Sequence, residues 1–242
     1  RGIMTAGSEE PNAIVQLNGN TQFTEPNVRA TEIEIYEGLE AESQNCWPNV
    51  NFDIGGINNF LAPILPAGFY YKTFMWPPNF WKLYEFFIRH SAGLGKSPKK
   101  NDKEIYDHKY IHCDVLIIGG GLAGIMAAKI SAQSGFKTLL VEEKPNLGGS
   151  TIYQKDNINE IDYKSPGSWL ESEIEELKNL KNLQIKTRTS VSAFHGYNFL
   201  LARESLTDHL PIEERENKIR QRLLKIRAKK VIAATGSIER PL

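Results

Sequence analysis

The sequence predicts an α/β fold with a mostly parallel sheet in residues 111–242, and three observations predict it. The continuous apolar run Val115–Ile118 is typical of a strand that is buried on both faces of a parallel sheet. An Ala-rich helix is expected over Gly124–Ser134, and a second apolar strand over Thr138–Val141. Strand, helix and strand in this order form a unit in which a crossover helix joins two parallel strands.

The remaining elements of this region follow from the spacing of its apolar residues. A helix is predicted over Trp169–Leu183, with Ile174, Leu177, Leu180 and Leu183 on one face. A strand is predicted over Gln184–Val191. Strands of a β meander are expected at Asn198–Arg203 and Leu223–Arg227, a last buried strand at Lys230–Ala234, and a charged loop or short helix at Pro211–Arg222.

The first 110 residues have a different character. Residues 1–40 predict short β segments, at Ala13–Leu17 and, by alternation, at Ala30–Glu37. Residues 41–110 form an aromatic-rich connecting segment and a charged linker over 96–110, which places a domain boundary near 105–112. The aromatic part is interpreted either as a layer wrapping a domain core or as a subunit interface, with a short helix at Pro78–His90.

Composition excludes several functional classes. The chain has 29 Lys plus Arg against 29 Asp plus Glu, which gives no reason to expect a nucleic-acid or membrane partner. The apolar stretch Phe60–Ile88 contains prolines and charges that argue against a transmembrane helix. Two cysteines predict neither a disulfide framework nor an iron–sulfur cluster, and with no signal peptide visible they indicate a cytoplasmic setting. The abrupt start and end predict a fragment of a longer chain.

Three glycines follow the first apolar strand at the spacing of a dinucleotide-binding turn. Gly119 is expected to turn the chain out of the strand, and Gly121 to let the backbone approach a pyrophosphate. Leu122 and Ala123 then open a helix whose positive end faces the phosphates, and Gly124 lets that helix pack close to the strand. The alternative is a purely structural glycine turn.

An acidic residue follows the second strand at the separation expected for a ribose ligand. The Glu142 carboxylate is predicted to accept hydrogen bonds from the adenosine ribose, and it would repel the 2′-phosphate of NADP. Glu143 and Lys144 are further candidates for this edge. The motif therefore predicts NAD or FAD and leaves the choice between them open.

Two further motifs give the pattern a family resemblance. The acidic residue is followed by Leu147-Gly148-Gly149-Ser150, and a late apolar strand ends in Ala234-Thr235-Gly236. Together they resemble the two-dinucleotide-binding-domain flavoprotein superfamily, which has a Rossmann-like FAD/NAD-binding domain. The resemblance implies that Gly149, Ser150 and the Ala234–Gly236 turn lie close to the dinucleotide, and that Val191 lies beside the adenine.

The rest of the chain resembles a narrower family, the α subunits of heterotetrameric bacterial sarcosine oxidase. The resemblance lies in the segments 1–13, 43–48, 66–77 and 234–242 and runs over essentially the whole chain, the aromatic block being its most specific part. It implies that residues 1–40 are part of a β-grasp (ferredoxin-like) domain. The thiols of an iron–sulfur cluster are missing from this part.

The same resemblance implies an activity and partners. The enzyme oxidatively demethylates sarcosine with tetrahydrofolate as one-carbon acceptor, in an assembly of α, β, γ and δ subunits. NAD is held noncovalently in α, a covalent FMN lies between α and β, and FAD acts in β. The alternatives are an α-type subunit of a related FAD-dependent amine or amino-acid (opine or glycine) dehydrogenase, and a non-catalytic subunit with structural NAD. No catalytic or metal-binding residue is predicted in this chain, because the chemistry of such systems belongs to the cofactors.

Overall fold

The computed structural model describes residues 14–18, 23–44, 46, 48–49, 51–56, 77–91, 93–95, 97–154 and 165–237. Its contacts divide the chain into two units. The first comprises Arg1–Glu104 with His209–Glu216, and the second comprises Ile105–Asp208 with Asn217–Leu242.

The first unit contains a small antiparallel sheet. Its strands are β1 (Ile14–Leu17), β2 (Glu25–Arg29) and β3 (Ala41–Ser43), in the order β2-β1-β3, and β4 (Pro48–Asn49) pairs separately with β5 (Phe52–Asp53). The strand predicted over Ala13–Leu17 is confirmed for its described part. The strand predicted over Ala30–Glu37 is wrong. Here the chain makes a 3-10 turn at Ala30–Glu32, where buried Arg29 pairs with Glu32 at 2.8 Å, and Ile35 is 88% exposed.

The connecting segment is described only in part. The helix predicted near Pro78–His90 is confirmed, as a 3-10 turn at Pro78–Phe80 that continues into α1 (Trp81–Ser91). Most of the aromatic block lies outside the described residues. The linker predicted over 96–110 is too long, because the strand β6 begins at Ile105.

The second unit is built on a six-stranded sheet in the order β8-β7-β6-β11-β10-β9. Its elements are β6 (Ile105–Ile118), α2 (Leu122–Gln133), β7 (Thr138–Val141), α3 (Pro166–Lys178), β8 (Leu183–Lys186), β9 (Thr189–His195), β10 (Phe199–Ser205) and β11 (Ile219–Ala233). The short helix α4 (Ile212–Arg215), which precedes β11 in the chain, belongs to the first unit. The strands β8, β7, β6 and β11 are parallel, and β9, β10 and β11 form an antiparallel meander. The predicted α/β class with a parallel sheet and a β meander is confirmed.

Three boundaries differ from the predicted ones. The helix α3 ends at Lys178, so Leu180 and Leu183 do not extend its apolar face, and Leu183 instead begins β8. The single strand predicted over Gln184–Val191 is two strands, β8 and β9, because Arg188 has φ +50° and interrupts the extended chain between them. The two strands predicted at Leu223–Arg227 and Lys230–Ala234 are one strand, β11, which pairs with β6 along most of its length.

The long strand β11 is shared by the parallel sheet and the meander, and two cores result. The core on the helix side contains Ile117, Ile125, Leu140, Leu147, Trp169 and Leu177. The core on the other side joins the parallel strands to the meander and contains Leu116, Leu139, Val141, Leu200, Leu224 and Ile226. In the part of the chain that is described, no helix is long and apolar enough to cross a membrane.

Candidate dinucleotide-binding site

Three loops meet where the parallel strands β6, β7 and β11 end. The loop after β6 begins at Gly119, whose N–H donates to the Val141 carbonyl at 2.8 Å. The loop after β11 begins at Ala234, whose N–H donates to the Ile118 carbonyl at 2.8 Å. In parallel α/β sheets ligands bind outside the carboxyl ends of the strands, so this edge is the expected place for a cofactor.

Gly119 is required by both its conformation and its surroundings. It has φ +102°, and a Cβ there would lie 2.4 Å from the Ala234 carbonyl oxygen and 3.2 Å from the Thr235 Cα. The turn after β6 therefore packs directly on the Ala234–Gly236 segment, where Thr235 and Gly236 are exposed. The first glycine of the motif and the terminal Ala-Thr-Gly run thus form one surface.

Gly124 is required by packing alone. A Cβ at this position would lie 1.8 Å from the Gly119 carbonyl oxygen, well inside any tolerated contact. Only a residue without a side chain lets the first turn of α2 approach the end of β6 this closely. The position of α2, and hence the direction of its positive end, depends on this glycine.

Gly121 has open space at the position that a side chain would occupy. Its φ is −74°, and the nearest heavy atom to an added Cβ is the Gly149 Cα at 3.9 Å. No side chain caps α2 at Gly121, and Leu122 and Ala123 are exposed. Backbone N–H groups at an uncapped helix start, next to a glycine that leaves space, are the features that accept a pyrophosphate. The residues of the turn therefore fit a dinucleotide.

The loop after β7 packs against the glycine-rich turn. The Gly148 N–H donates to the Gly120 carbonyl at 2.8 Å, and a Cβ on Gly149 would lie 3.0 Å from the Gly121 Cα. Gly149 and Ser150 are exposed at this surface. Gly149 is thus needed because two backbones run side by side, and Gly148 is needed because it has φ +128° and a Cβ there would lie 2.6 Å from Leu170 Cδ2.

Glu142 is buried and held by the backbone around it. Glu142 is 9% exposed to solvent. Its Oε2 accepts from the Gly120 N–H at 2.5 Å, and its Oε1 accepts from the Lys144 N–H at 2.8 Å. Each carboxylate oxygen has a second lone pair, so the two backbone donors orient the group without exhausting its capacity to accept from ribose hydroxyls.

The other predicted residues lie around this carboxylate. Glu143 is half-buried and Lys144 is exposed in the same loop. Val191 is half-buried on β9, two residues after Thr189, whose N–H donates to the Glu142 carbonyl at 2.7 Å. The structure brings the glycine turns, Glu142 and the Ala-Thr-Gly run together, and it places Val191 on the neighbouring meander strand.

Two residues of the site were not predicted from the sequence. Gly120 supplies the N–H that orients Glu142, and a Cβ on it would lie 2.4 Å from Leu147 Cδ2. Thr189 fixes the Glu142 backbone from the meander side. The run of three consecutive glycines was a signal for Gly120, because the dinucleotide motif itself requires only the first and third of them. Nothing in the sequence marked Thr189.

The described residues at this edge include neither a cluster of metal-ligating side chains nor a reactive thiol. Across the described ranges, no group of three His, Cys, Asp or Glu side chains is placed to hold a metal ion. Cys113 lies in the core between β6 and the meander, and burial raises the pKa of its thiol to about 11. A thiol with such a pKa is inert at neutral pH.

Comparison with known protein families gives two matches. The family described as FAD dependent oxidoreductase matches residues 114–236, which contain the whole site described above. The family described as 2Fe-2S iron-sulfur cluster binding domain matches residues 1–46. This second match supports the β-grasp-like first segment, although residues 1–46 hold a single cysteine, Cys46.

Similar proteins include sarcosine oxidase alpha subunits. The chain is 44% identical to "Sarcosine oxidase subunit alpha" of Rhizobium meliloti (strain 1021), over all of this chain and 24% of that protein. It is 28% identical to the subunit of the same name from Corynebacterium sp. (strain U-96), over all of this chain and 20% of that protein. The chain therefore spans between a fifth and a quarter of the length of these curated relatives. Among solved structures, L-proline dehydrogenase from P. horikoshii is 28% identical, with a TM-score of 0.42, over 61% of this chain and 27% of that one.

Proposed function

We propose a function from one premise: the chain belongs to the family of FAD dependent oxidoreductases. The proposed role is that of the dinucleotide-binding part of an alpha-type subunit in a flavin-dependent sarcosine oxidase. That enzyme oxidatively demethylates sarcosine to glycine, with tetrahydrofolate as the one-carbon acceptor. The observation that carries the proposal is the glycine cradle closed by Glu142, together with the whole-chain similarity to sarcosine oxidase alpha subunits.

The chain contributes the binding of the ADP half of a dinucleotide. The pyrophosphate is held over Gly121, Leu122 and Ala123 at the start of α2, while Gly119 and Gly124 fix the turn beneath it. The Glu142 carboxylate accepts from the ribose hydroxyls, and Val191 contacts the adenine through its backbone. The Ala234–Gly236 turn and the Gly149–Ser150 segment complete the surface. The bound cofactor supplies the redox chemistry, and these residues supply position and charge.

The cofactor at this site is proposed to be NAD, with FAD as the alternative. Both carry the same ADP group, and the family match favours FAD. The negative charge of Glu142 disfavours the 2′-phosphate of NADP in either case. FMN and FAD elsewhere in the assembly, and the β, γ and δ subunits, belong to the same proposal.

The test is cofactor identification on the assembly isolated from the organism that encodes the chain. The separated subunits are denatured, and the released noncovalent cofactors are identified by mass. NAD released from this polypeptide supports the proposal in full. FAD in its place keeps the binding site but assigns redox chemistry to this chain, as in an amine or amino-acid dehydrogenase. No dinucleotide on this polypeptide contradicts the proposal.

A matched variant tests the site itself. In Gly121→Ala the new Cβ makes only an ordinary contact with the protein, so the chain is expected to fold, yet it stands where the pyrophosphate must approach. We expect loss of most of the bound dinucleotide at an unchanged melting temperature of the cofactor-free protein. Gly196→Ala, in a turn where a Cβ meets nothing within 4 Å, is the control and retains the cofactor. Full occupancy in Gly121→Ala contradicts the placement.

A further inference from the structure

The side of the meander that faces away from the core presents an organised surface. Along β10 and β11 alternate residues are buried, and those between them point outward. Across the strands Tyr110 pairs with Lys225, Phe199 pairs with Arg227, and Arg203 pairs with Leu223. These six residues are called the outer meander face.

Two aromatic rings of this face, Tyr110 and Phe199, lie beside cations. Tyr110 is 63% exposed and Leu223 is 40% exposed. The Lys225 Nζ lies 4.9 Å from the centre of the Tyr110 ring, and the Arg227 Cζ lies 5.2 Å from that of Phe199. Such cation–π contacts orient a charge without neutralising it. The face therefore combines exposed apolar area with fixed positive charge.

None of the three cations of the face has a carboxylate partner among the residues that the structure describes. Lys225 reaches the Tyr110 hydroxyl at 3.4 Å, and Arg227 donates to the Tyr197 carbonyl at 3.2 Å. The buried Nε of Arg203 has no hydrogen-bond partner.

Several other cations of the same unit are paired with carboxylates. These include Lys129 with Glu173, Lys186 with Glu204, Arg220 with Asp208, Arg222 with Asp107, and Lys229 with Asp114. Asp114 is the next outward-facing residue of β6 after His112. Its Oδ1 already forms an ion pair with the Lys229 Nζ at 2.7 Å. The cations of the outer meander face thus differ from these five in having no carboxylate partner among the described residues, and two of them lie against aromatic rings instead.

We infer that the outer meander face binds a partner subunit that presents carboxylates beside apolar side chains. The inference rests on the proposed function, which places this chain in a multi-subunit enzyme. Aromatic and Arg side chains are enriched in interface cores, and unpaired charge of one sign selects a partner of the other. A second copy of the same face would bring like charges together, which disfavours self-association.

The first experiment reverses the charge of this face in the complete assembly. Lys225→Glu/Arg227→Glu is introduced into the encoding organism, and the assembly is isolated through a tag on this polypeptide. We expect the dissociation constant of one subunit, measured by native mass spectrometry, to rise about tenfold, and that subunit to be released at a lower salt concentration. The control Lys178→Glu/Lys181→Glu makes the same change of charge at exposed lysines at the end of α3 and in the turn after it, and leaves the composition unchanged.

The second experiment identifies the contact in the unaltered assembly. A zero-length carbodiimide couples a lysine amine directly to a carboxylate. Lys225 is expected to couple to an Asp or Glu of another subunit, whereas Lys181 is not. Coupling of Lys225 only within its own polypeptide, or no coupling, overturns the inference. So does release of subunits by nuclease treatment, which would assign the face to a nucleic acid.

The dinucleotide content separates the inference from the proposed function. The charge-reversed assembly is expected to retain as much dinucleotide on this polypeptide as the unaltered one, because the face lies outside the glycine cradle. Dissociation with full cofactor content supports the docking face. Unchanged subunit composition with full cofactor content overturns the docking face and leaves the proposed function intact.

Discussion

The dinucleotide edge and the meander belong to one sheet but are held together by different forces. At the edge, backbone lies against backbone, and added Cβ atoms would stand 1.8 Å from another atom at Gly124 and 2.4 Å at Gly119. In the meander, side-chain ion pairs add to the backbone pairing, as between Arg222 of β11 and Glu204 of β10 and between Arg220 of β11 and Asp208 in the loop after β10. Gly119 and Gly124 therefore tolerate almost no added side chain, whereas each ion pair of the meander is replaceable at moderate cost.

The largest effect is expected from Gly124→Ala at the edge. The added methyl group has no space, because the obstructing atom is a backbone oxygen that cannot move without displacing β6 or α2. We expect the free energy of unfolding to fall by more than about 3 kcal/mol, measured by urea denaturation. Gly196→Ala in the meander turn adds the same methyl group in open space and is expected to change it by less than about 0.5 kcal/mol. Equal stabilities for the two variants would remove the contrast between the regions.

A smaller effect at the same edge is expected from Glu142→Ala. Loss of charge-assisted hydrogen bonds to the ribose should weaken dinucleotide binding by about 1–3 kcal/mol, measured by titration of the cofactor-free protein with NAD and with FAD. Glu175→Ala, at an exposed position of α3, serves as the control. Unchanged affinity in Glu142→Ala would mean that the ribose ligand lies elsewhere.

The same contrast explains what the sequence predicts and what it does not. Backbone crowding demands glycine at Gly119, Gly124 and Gly149, so these residues mark the edge directly in the sequence. The strand over Thr138–Val141 was placed correctly because it is apolar throughout and buried on both faces.

The strands of the meander are predicted less accurately from the sequence than the edge is, for a physical reason. Its strand β11 alternates charged and apolar residues and contains Ala228-Lys229-Lys230, which interrupts the apolar pattern without interrupting the strand. Pairing with β6 on one side and β10 on the other keeps it continuous, and such long-range pairing leaves no local signal. The turn at Arg188 was missed likewise, because a positive φ there is imposed by the neighbouring strands and not by a glycine.

Asp208→Asn tests the ion pairs of the meander. Burial alone would raise the pKa of Asp208, but the Arg220 guanidinium and hydrogen bonds from Ser205, Arg220 and Gln221 outweigh it and hold the pKa below its ordinary value. We expect the variant to be less stable by about 1 kcal/mol at pH 7, from urea denaturation.

The pH dependence of this difference follows from the direction of the shift. A carboxyl whose pKa is lowered by folding stabilises the protein above its unfolded pKa, near pH 4. The difference between wild type and Asp208→Asn should be complete above that pH and decline as the pH falls through the lowered folded pKa. A difference that is constant down to acid pH would assign it to packing and not to charge.

The smallest expected effect is on the alkylation rate of the Cys113 thiol, which reports on the core between the two regions. Cys113 lies in the core shared by the parallel strands and the meander, and its thiol has a pKa of about 11 because of burial. In a Cys46→Ser background it is the one remaining cysteine of the sequence. At pH 8 the fraction of thiolate is lower than in the unfolded chain by more than about 100-fold, so alkylation of the native protein should be slower by at least that factor. The measurement is the rate of iodoacetamide labelling with and without urea.

The same labelling rate compares the two regions in Asp208→Asn. If ion pairs secure the meander less firmly than backbone packing secures the edge, the labelling rate should rise in this variant at a lower urea concentration than the one at which dinucleotide binding is lost. Simultaneous loss of both would mean that edge and meander open as one unit.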